Sequence, residues 1–265
     1  MVNKINYNTP WRKTAATIYK KSVDSKLFGS VEIDVTELEK YIESKRQVGL
    51  KVTLTHIVFL ATARAVKEIP QLNTYVKRGN ICSHKSIDGS ISVLLAEGEM
   101  SSIKICNADV LSLNEIVTIA KENINKARKG SENQTMKLKS LITYIPWPIS
   151  KWISLLIKNL ITNWGLSIKS LGLSANTFGS FFLTNIGSVG LDVGYPALMP
   201  YANVSFVLVM GGCSLKPWIV NGEIMPRKIL NLSAALDHRV VDASHGGKLF
   251  KQLKHYLNNP ELLEK

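Results

Sequence analysis

Two spacings of apolar residues alternate along this chain, and each predicts a different element. Phe28, Val31, Ile33 and Val35 mark a strand over residues 27–35. Asp34 or Thr36 stands where it can cap a helix running to about Lys45, with Glu37 or Glu39 at the reciprocal position of a capping box. Leu54, Ile57, Val58, Ala61, Ala65 and Val66 form the stripe of a second helix. Val76 to Ser83 and Ser90 to Ala96 read as strands, and Ser112-Leu113-Asn114-Glu115 as a capping box opening a helix to about Arg128. Phe181 to Thr184 and Val204 to Met210 read as buried strands. Ile229 to Leu236 alternates as a further strand, followed by helical spacing at Leu249, Phe250, Leu253, Tyr256 and Leu257. A short helix is expected over Lys13 to Lys21, after Pro10. Strands and helices intermingle, and several strands are wholly apolar. The pattern predicts an α/β domain with a central mixed sheet and flanking helices.

One segment differs in character. Ile149, Trp152, Ile153, Leu156, Ile157, Leu160, Ile161 and Trp164 share one helical face, while Ser150, Lys151, Ser154, Lys158, Asn159 and Thr162 take the other. Pro146 and Pro148 bracket its start, where proline is tolerated. Lys151 and Lys158 argue against a membrane span, since each costs about 2.5–3.5 kcal/mol at a bilayer centre. Three uses fit such a helix: packing on a core, lying on anionic lipid beside the basic stretch from Lys126 to Lys139, or covering an acyl-binding site.

The chain has 265 residues without an internal repeat or low-complexity linker, so a single domain over 1–265 is expected. The formal net charge of +13 suits an anionic partner: a phosphorylated cofactor, an acidic protein or anionic lipid. Neither zinc-finger spacing nor an aromatic RNA-binding motif accompanies the basic residues, so nucleic acid is not expected. Cys82, Cys106 and Cys213 are odd in number and far apart, without disulfide or metal-ligand spacing. The N-terminus lacks the apolar core of a secretory signal. A cytoplasmic protein, peripheral on a membrane if the amphipathic segment binds lipid, with no metal, is the expectation.

Candidate chemistry concentrates near the C-terminus. His238-Arg239-Val240-Val241-Asp242 lies where the last strand gives way to the last helix. A histidine titrates near neutrality and can take a proton from a nucleophile. A carboxylate four residues on can hold that ring or the local backbone. Taken by itself, the stretch also fits a charged surface turn.

Three further motifs share the chain with it: Pro10-Trp11-Arg12-Lys13-Thr14, the run Phe181-Phe182-Leu183-Thr184-Asn185-Ile186-Gly187-Ser188-Val189-Gly190, and the ending Leu257-Asn258-Asn259-Pro260-Glu261-Leu262-Leu263. In this order and spacing the chain resembles the catalytic domain of dihydrolipoamide acyltransferases, the core subunits of 2-oxo acid dehydrogenase complexes, from about Pro10 to Leu263. That resemblance implies a chloramphenicol-acetyltransferase-like fold and acyl transfer between two thiols, one of them on coenzyme A, used as a substrate. It implies that His238 is the general base and that Thr184 stands where the family usually has a serine oxyanion donor. It implies that Asp242 pairs with an arginine near the N-terminus, with Arg12 the candidate, as structural support rather than proton relay. Asn185, beside the donor, is a candidate for supporting the site. It further implies a homotrimer, with base and oxyanion donor supplied by neighbouring subunits.

The departures from the family pattern are as informative. Ala243 replaces the usual glycine after the motif aspartate. The stretch from about Ser131 to Ser174, which includes the amphipathic helix, reads as an insertion. The chain begins almost at the catalytic domain, so no covalent lipoyl group is expected on it, and the lipoyl acceptor would sit on another protein. Acyl transfer to an acyl carrier protein or to a small hydroxyl or amine is the alternative, and a non-catalytic trimeric scaffold is the second. Condensation domains of peptide synthetases carry a His-His motif, whereas here Asp237 occupies the first position. His56, His245 and Cys213 are expected to serve structure rather than chemistry.

Overall fold

The computed structural model describes residues 9–10, 25–94, 100–128, 146, 149–167, 174, 176–198 and 203–264. Its centre is a six-stranded mixed sheet in the order β1-β8-β7-β6-β4-β5. The strands are β1 (Lys26–Asp34), β4 (Gly89–Leu94), β5 (Met100–Ile105), β6 (Phe181–Asn185), β7 (Phe206–Val220) and β8 (Glu223–Asp237). β2 (Thr74–Lys77) and β3 (Asn80–Ser83) form a separate antiparallel pair. β6 runs parallel to both β4 and β7, and the outer pairings are antiparallel. The helices are α1 (Thr36–Gln47), α2 (Leu54–Glu68), α3 (Leu113–Arg128), α4 (Ile149–Lys158) and α5 (Ala243–Asn258).

Side chains alternate across a strand, so the sheet has two unequal faces. Phe181, Leu183, Phe206, Leu208, Met210, Leu230, Leu232, Ala234 and Leu236 join the main core with the buried sides of α1, α2, α3 and α5. Phe59 of α2 meets Phe181, which stacks on Phe206 with the ring planes 9° apart. The opposite face carries Phe182, Val207 and Ala235 beneath a small cover of Leu198 and Val204. There Phe28 stays 49% exposed, edge-on to Tyr195. Among the described residues one face is therefore closed by helices, and the other is only thinly covered.

The expected elements are all found where the structure describes them, with instructive differences. Val76 to Ser83 is a hairpin rather than one strand, turning at Arg78 and Gly79, both with positive φ. The last two strands extend into a long hairpin around Asn221-Gly222, a left-handed pair that favours a two-residue hairpin turn. α1 is capped by neither expected arrangement: Val35 is its N-cap, and Asp34 accepts from the backbone N–H of Thr36 at 3.0 Å and its hydroxyl at 2.7 Å. The Ser112–Glu115 box forms as expected. His56 takes the reciprocal position of a capping box, its Nδ1 accepting from the N–H of Thr53 at 3.2 Å. Burial lowers its pKa and so favours the neutral ring that can accept. The amphipathic helix is α-helical only to Lys158; residues Asn159–Asn163 form a π turn. The Lys13–Lys21 helix lies outside the described residues.

Asp88 ties the loop before β6 to the sheet. Its side chain is 5% exposed, and its Oδ2 lies 3.0 Å from Lys104 Nζ and accepts from Asn176 Nδ2 at 3.2 Å. Its Oδ1 accepts from the backbone N–H of Asn107 at 3.1 Å. Burial alone would raise the carboxyl's pKa; the bonds from Asn107 and Lys104 outweigh it, and the value falls below the ordinary one. A lowered folded value means that the ionised group adds stability above the unfolded pKa, and that this is lost as pH falls through the folded value. Asp88→Asn should therefore destabilise the protein at pH 7 by about 1–3 kcal/mol. The gap to the parent in chemical unfolding should close as pH drops below about 4.

Candidate active site

β8 delivers His238 in a turn braced from several sides. The N–H of His238 donates to Ser25 O at 2.7 Å, and the N–H of Asp237 donates to Ser205 O at 2.8 Å. Asp237 and Arg239, both 6% exposed, form an ion pair around the histidine. Arg239 Nε donates to Asp237 Oδ1 at 2.9 Å and Oδ2 at 3.1 Å, while the Arg239 backbone N–H donates to Oδ1 at 3.1 Å. A chelated pair separated by one residue fixes the backbone between its members, and that residue is His238.

The imidazole is held as well. Its Nδ1 lies 2.9 Å from Val241 O and 3.3 Å from Asp242 Oδ1. A carbonyl oxygen can only accept, so Nδ1 carries the hydrogen and Nε2 of the neutral ring keeps the basic lone pair. The side chain is 31% exposed, so solvent or substrate can reach it. Asp242 caps α5 in the same geometry, its backbone N–H donating to His245 Nδ1 at 3.0 Å. His245 thus has the structural role expected of it. Arg12, the expected partner of Asp242, lies outside the described residues. Ala243 is exposed at the first position of α5.

Thr184 stands near the end of β6 on the thinly covered face, two residues beyond Phe182. Ser92 Oγ of β4 donates to Thr184 Oγ1 at 2.8 Å. In that direction the threonine keeps its own hydroxyl hydrogen for another acceptor. Asn185 staples the strand end: its Nδ2 donates to Thr55 Oγ1 at 3.2 Å and its Oδ1 accepts from the N–H of Ser188 at 3.1 Å. The next turn crosses β7 so closely that a Cβ on Gly187 would stand 2.5 Å from Gly211 O. A register irregularity between Met210 and Cys213 accompanies this crossing. Cys213, half-buried with its thiol pushed up by burial, has little thiolate character and packs as expected.

The two candidate groups, His238 and Thr184, do not meet within one chain. Thr184 pairs with Val209, and Val209 with Ser233, five residues before His238. Two strand spacings across and five residues along place them on the order of 15–20 Å apart. Ser92 and the Asp237–Arg239 clasp went unassigned in the sequence reading. Charges flanking the histidine were a usable signal for the clasp, but Ser92 lies 92 residues from Thr184 and only the β4–β6 pairing relates them. Among the described residues no group of His, Cys, Asp and Glu is arranged to hold a metal.

The fold agrees with the comparisons to known proteins. The family described as 2-oxoacid dehydrogenases acyltransferase (catalytic domain) matches residues 5–139 and 157–264. A dihydrolipoyllysine-residue acetyltransferase component of a pyruvate dehydrogenase complex, from Mycoplasma capricolum, is 28% identical over 244 residues, covering 89% of this chain and 45% of its own length. The chain thus spans about half the length of this curated relative. The structure of an Azotobacter vinelandii dihydrolipoamide acetyltransferase superposes with a TM-score of 0.67 at 19% identity, covering 92% of this chain and 84% of that one. A chloramphenicol acetyltransferase superposes with a TM-score of 0.55 at 13% identity, covering 96% and 98%. The expected chloramphenicol-acetyltransferase-like fold is borne out.

The clasp sets a measurable expectation. Arg239→Met strands a buried carboxylate and should destabilise the protein by about 3–5 kcal/mol in denaturant unfolding. Replacing both partners with apolar or neutral residues should recover much of that loss.

Proposed function

The chain belongs to the family of 2-oxoacid dehydrogenase acyltransferase catalytic domains, and we propose that it moves an acyl group between coenzyme A and a lipoyl-type thiol. The observation that carries this reading is His238, clasped at the end of β8 with its Nδ1 hydrogen committed to Val241 O. A thiol is mostly protonated at neutral pH and must lose its proton as it attacks. His238 Nε2 takes that proton. The sulfur attacks the thioester carbonyl, and the carbonyl electrons move onto oxygen. Thr184 donates a hydrogen bond to the resulting oxyanion. Collapse of the intermediate expels the second sulfur, which recovers the proton from the His238 imidazolium.

The relatives' names support the lipoyl acceptor, since they are dihydrolipoyllysine-residue acetyltransferases. In the Azotobacter vinelandii enzyme a serine, a histidine and an asparagine were investigated for their role in catalysis, the last two four positions apart, as His238 and Asp242 are here. Asp242 in this reading pairs with Arg12 and holds the turn rather than relaying a proton. The assembly is a homotrimer in which His238 of one subunit faces Thr184 of its neighbour; the separation of the two within a chain supports that sharing. The stretch around 131–174 is an insertion into the single domain, and residues 140–156, unmatched by the family, support that division.

His238→Ala should lower acyl transfer by about 10²–10⁴-fold with an unchanged unfolding midpoint. The assay is thiol release from several acyl-coenzyme A esters with free dihydrolipoamide, a lipoyl domain or an acyl carrier protein as acceptor. Transfer only to the carrier protein would move the acceptor class, and no transfer to any acceptor would leave a scaffold. Mixed oligomers of His238→Ala and Thr184→Val chains should regain activity that neither has alone. Failure to complement in verified mixed oligomers would rule out a shared site.

A further inference from the structure

We propose that the exposed face of α4 docks this protein on an anionic lipid surface, a role the acyl-transfer chemistry does not call for. α4 contains no buried residue. Ile149, Trp152, Leu155 and Leu156 are 55%, 71%, 46% and 59% exposed, and they fill a sector of about 120° around the helix. Trp164, beyond the π turn, is 52% exposed. Single apolar residues are common on surfaces, but a contiguous helical face with an open tryptophan marks an interaction site.

Charge identifies the occupant. From Asn133 to Leu191 the sequence contains no aspartate or glutamate, while Lys137, Lys139, Lys151, Lys158 and Lys169 fall within it. It is the longest run without an acidic residue in the chain, the next being residues 193–222, so this basic stretch is local as well as part of the net +13. Lys151 and Lys158 on the same helix as an apolar face centred on Trp152 suit phosphate headgroups above acyl chains. No helix among the described residues is long and apolar enough to cross a membrane, which leaves a helix lying in the surface plane.

The face is mounted rigidly. Ile161 is buried, Asn163 O accepts from the N–H of Arg78 at 2.8 Å, and the Arg78 guanidinium lies 5.5 Å from the Trp164 ring centroid. Thr162 O accepts from Asn203 Nδ2 at 3.3 Å, two residues before the Ser205 that braces the His238 turn. A bound surface would therefore orient the sheet and its active-site end. A second copy of the chain is a poorer occupant: Ile149 to Leu156 lie in the stretch that the family does not match, so an interface shared across the family does not include them.

The test uses the full chain and sedimentation with phosphatidylcholine vesicles, with and without phosphatidylglycerol. The protein should pellet with the phosphatidylglycerol vesicles only, and added salt should release it. Trp152→Ser/Leu156→Ser should lower partitioning by at least about tenfold, and Lys151→Glu/Lys158→Glu likewise. Both variants should keep the parent's molar mass by light scattering and its vesicle-free acyl-transfer rate, whatever that rate is, so the result does not depend on the acceptor proposed above. No pelleting with anionic vesicles, or equal pelleting of the parent and variants, overturns the proposal. So does a fall in molar mass in Trp152→Ser/Leu156→Ser, which would show that a second copy covers the face.

Discussion

The ion pair of Asp237 and Arg239 is the constraint on which the active-site end of this molecule depends. Two charges are taken out of water within three residues, which is unfavourable unless every remaining bond is made. Here the same carboxylate also accepts from the Arg239 backbone, and the adjoining N–H groups of Asp237 and His238 are paired with Ser205 and Ser25. The chain at this point has little freedom left. The histidine is held by its neighbours' bonds before its own ring makes any.

A second constraint lies at the other end of the sheet, where backbone passes over backbone. The turn after Thr184 crosses β7 with no room for a Cβ on Gly187, and Gly212 donates back to Leu191 O at 2.9 Å. Glycine is required there by space, since the Gly187 backbone is not left-handed. The crossing fixes where β6 ends and hence the depth at which the Thr184 hydroxyl meets Ser92. The two chemical groups are each positioned by a local device, and the register between β6, β7 and β8 sets them apart.

That separation gives the unequal faces of the sheet a consequence. The helical side closes the core and needs nothing more. The side bearing Thr184 has only a thin apolar cover, with Phe28 and Tyr195 open to solvent. A candidate oxyanion donor on a half-covered face, set apart from His238, is the geometric ground for the shared site proposed above. The exposed face of α4 is a separate surface, distinguished by its charge and by its absence from what the family shares.

Much of this was legible in the residues. Strand and helix periodicity located the sheet, and His238, Thr184, Asp242 and Gly187 stood in recognisable order. Single-residue details were less legible, because they depend on packing: Val35 rather than a polar residue caps α1, and the amphipathic run ends in a π turn where Ile161 and Thr162 meet the protein body. The long β7–β8 hairpin turns at Asn221-Gly222, yet its outer half is open to solvent, with Leu215, Ile219 and Ile224 all more than 70% exposed, and a search for buried strands passes over it. The sequence by itself determined the chemistry available, since residue types and local spacing decide which groups can ionise, donate or cap. Only the tertiary structure decided which of those groups meet. Ser92 reached Thr184, and Asp88 reached Lys104 and Asn176, because strand pairing joins residues far apart in the chain, and no local spacing encodes that register.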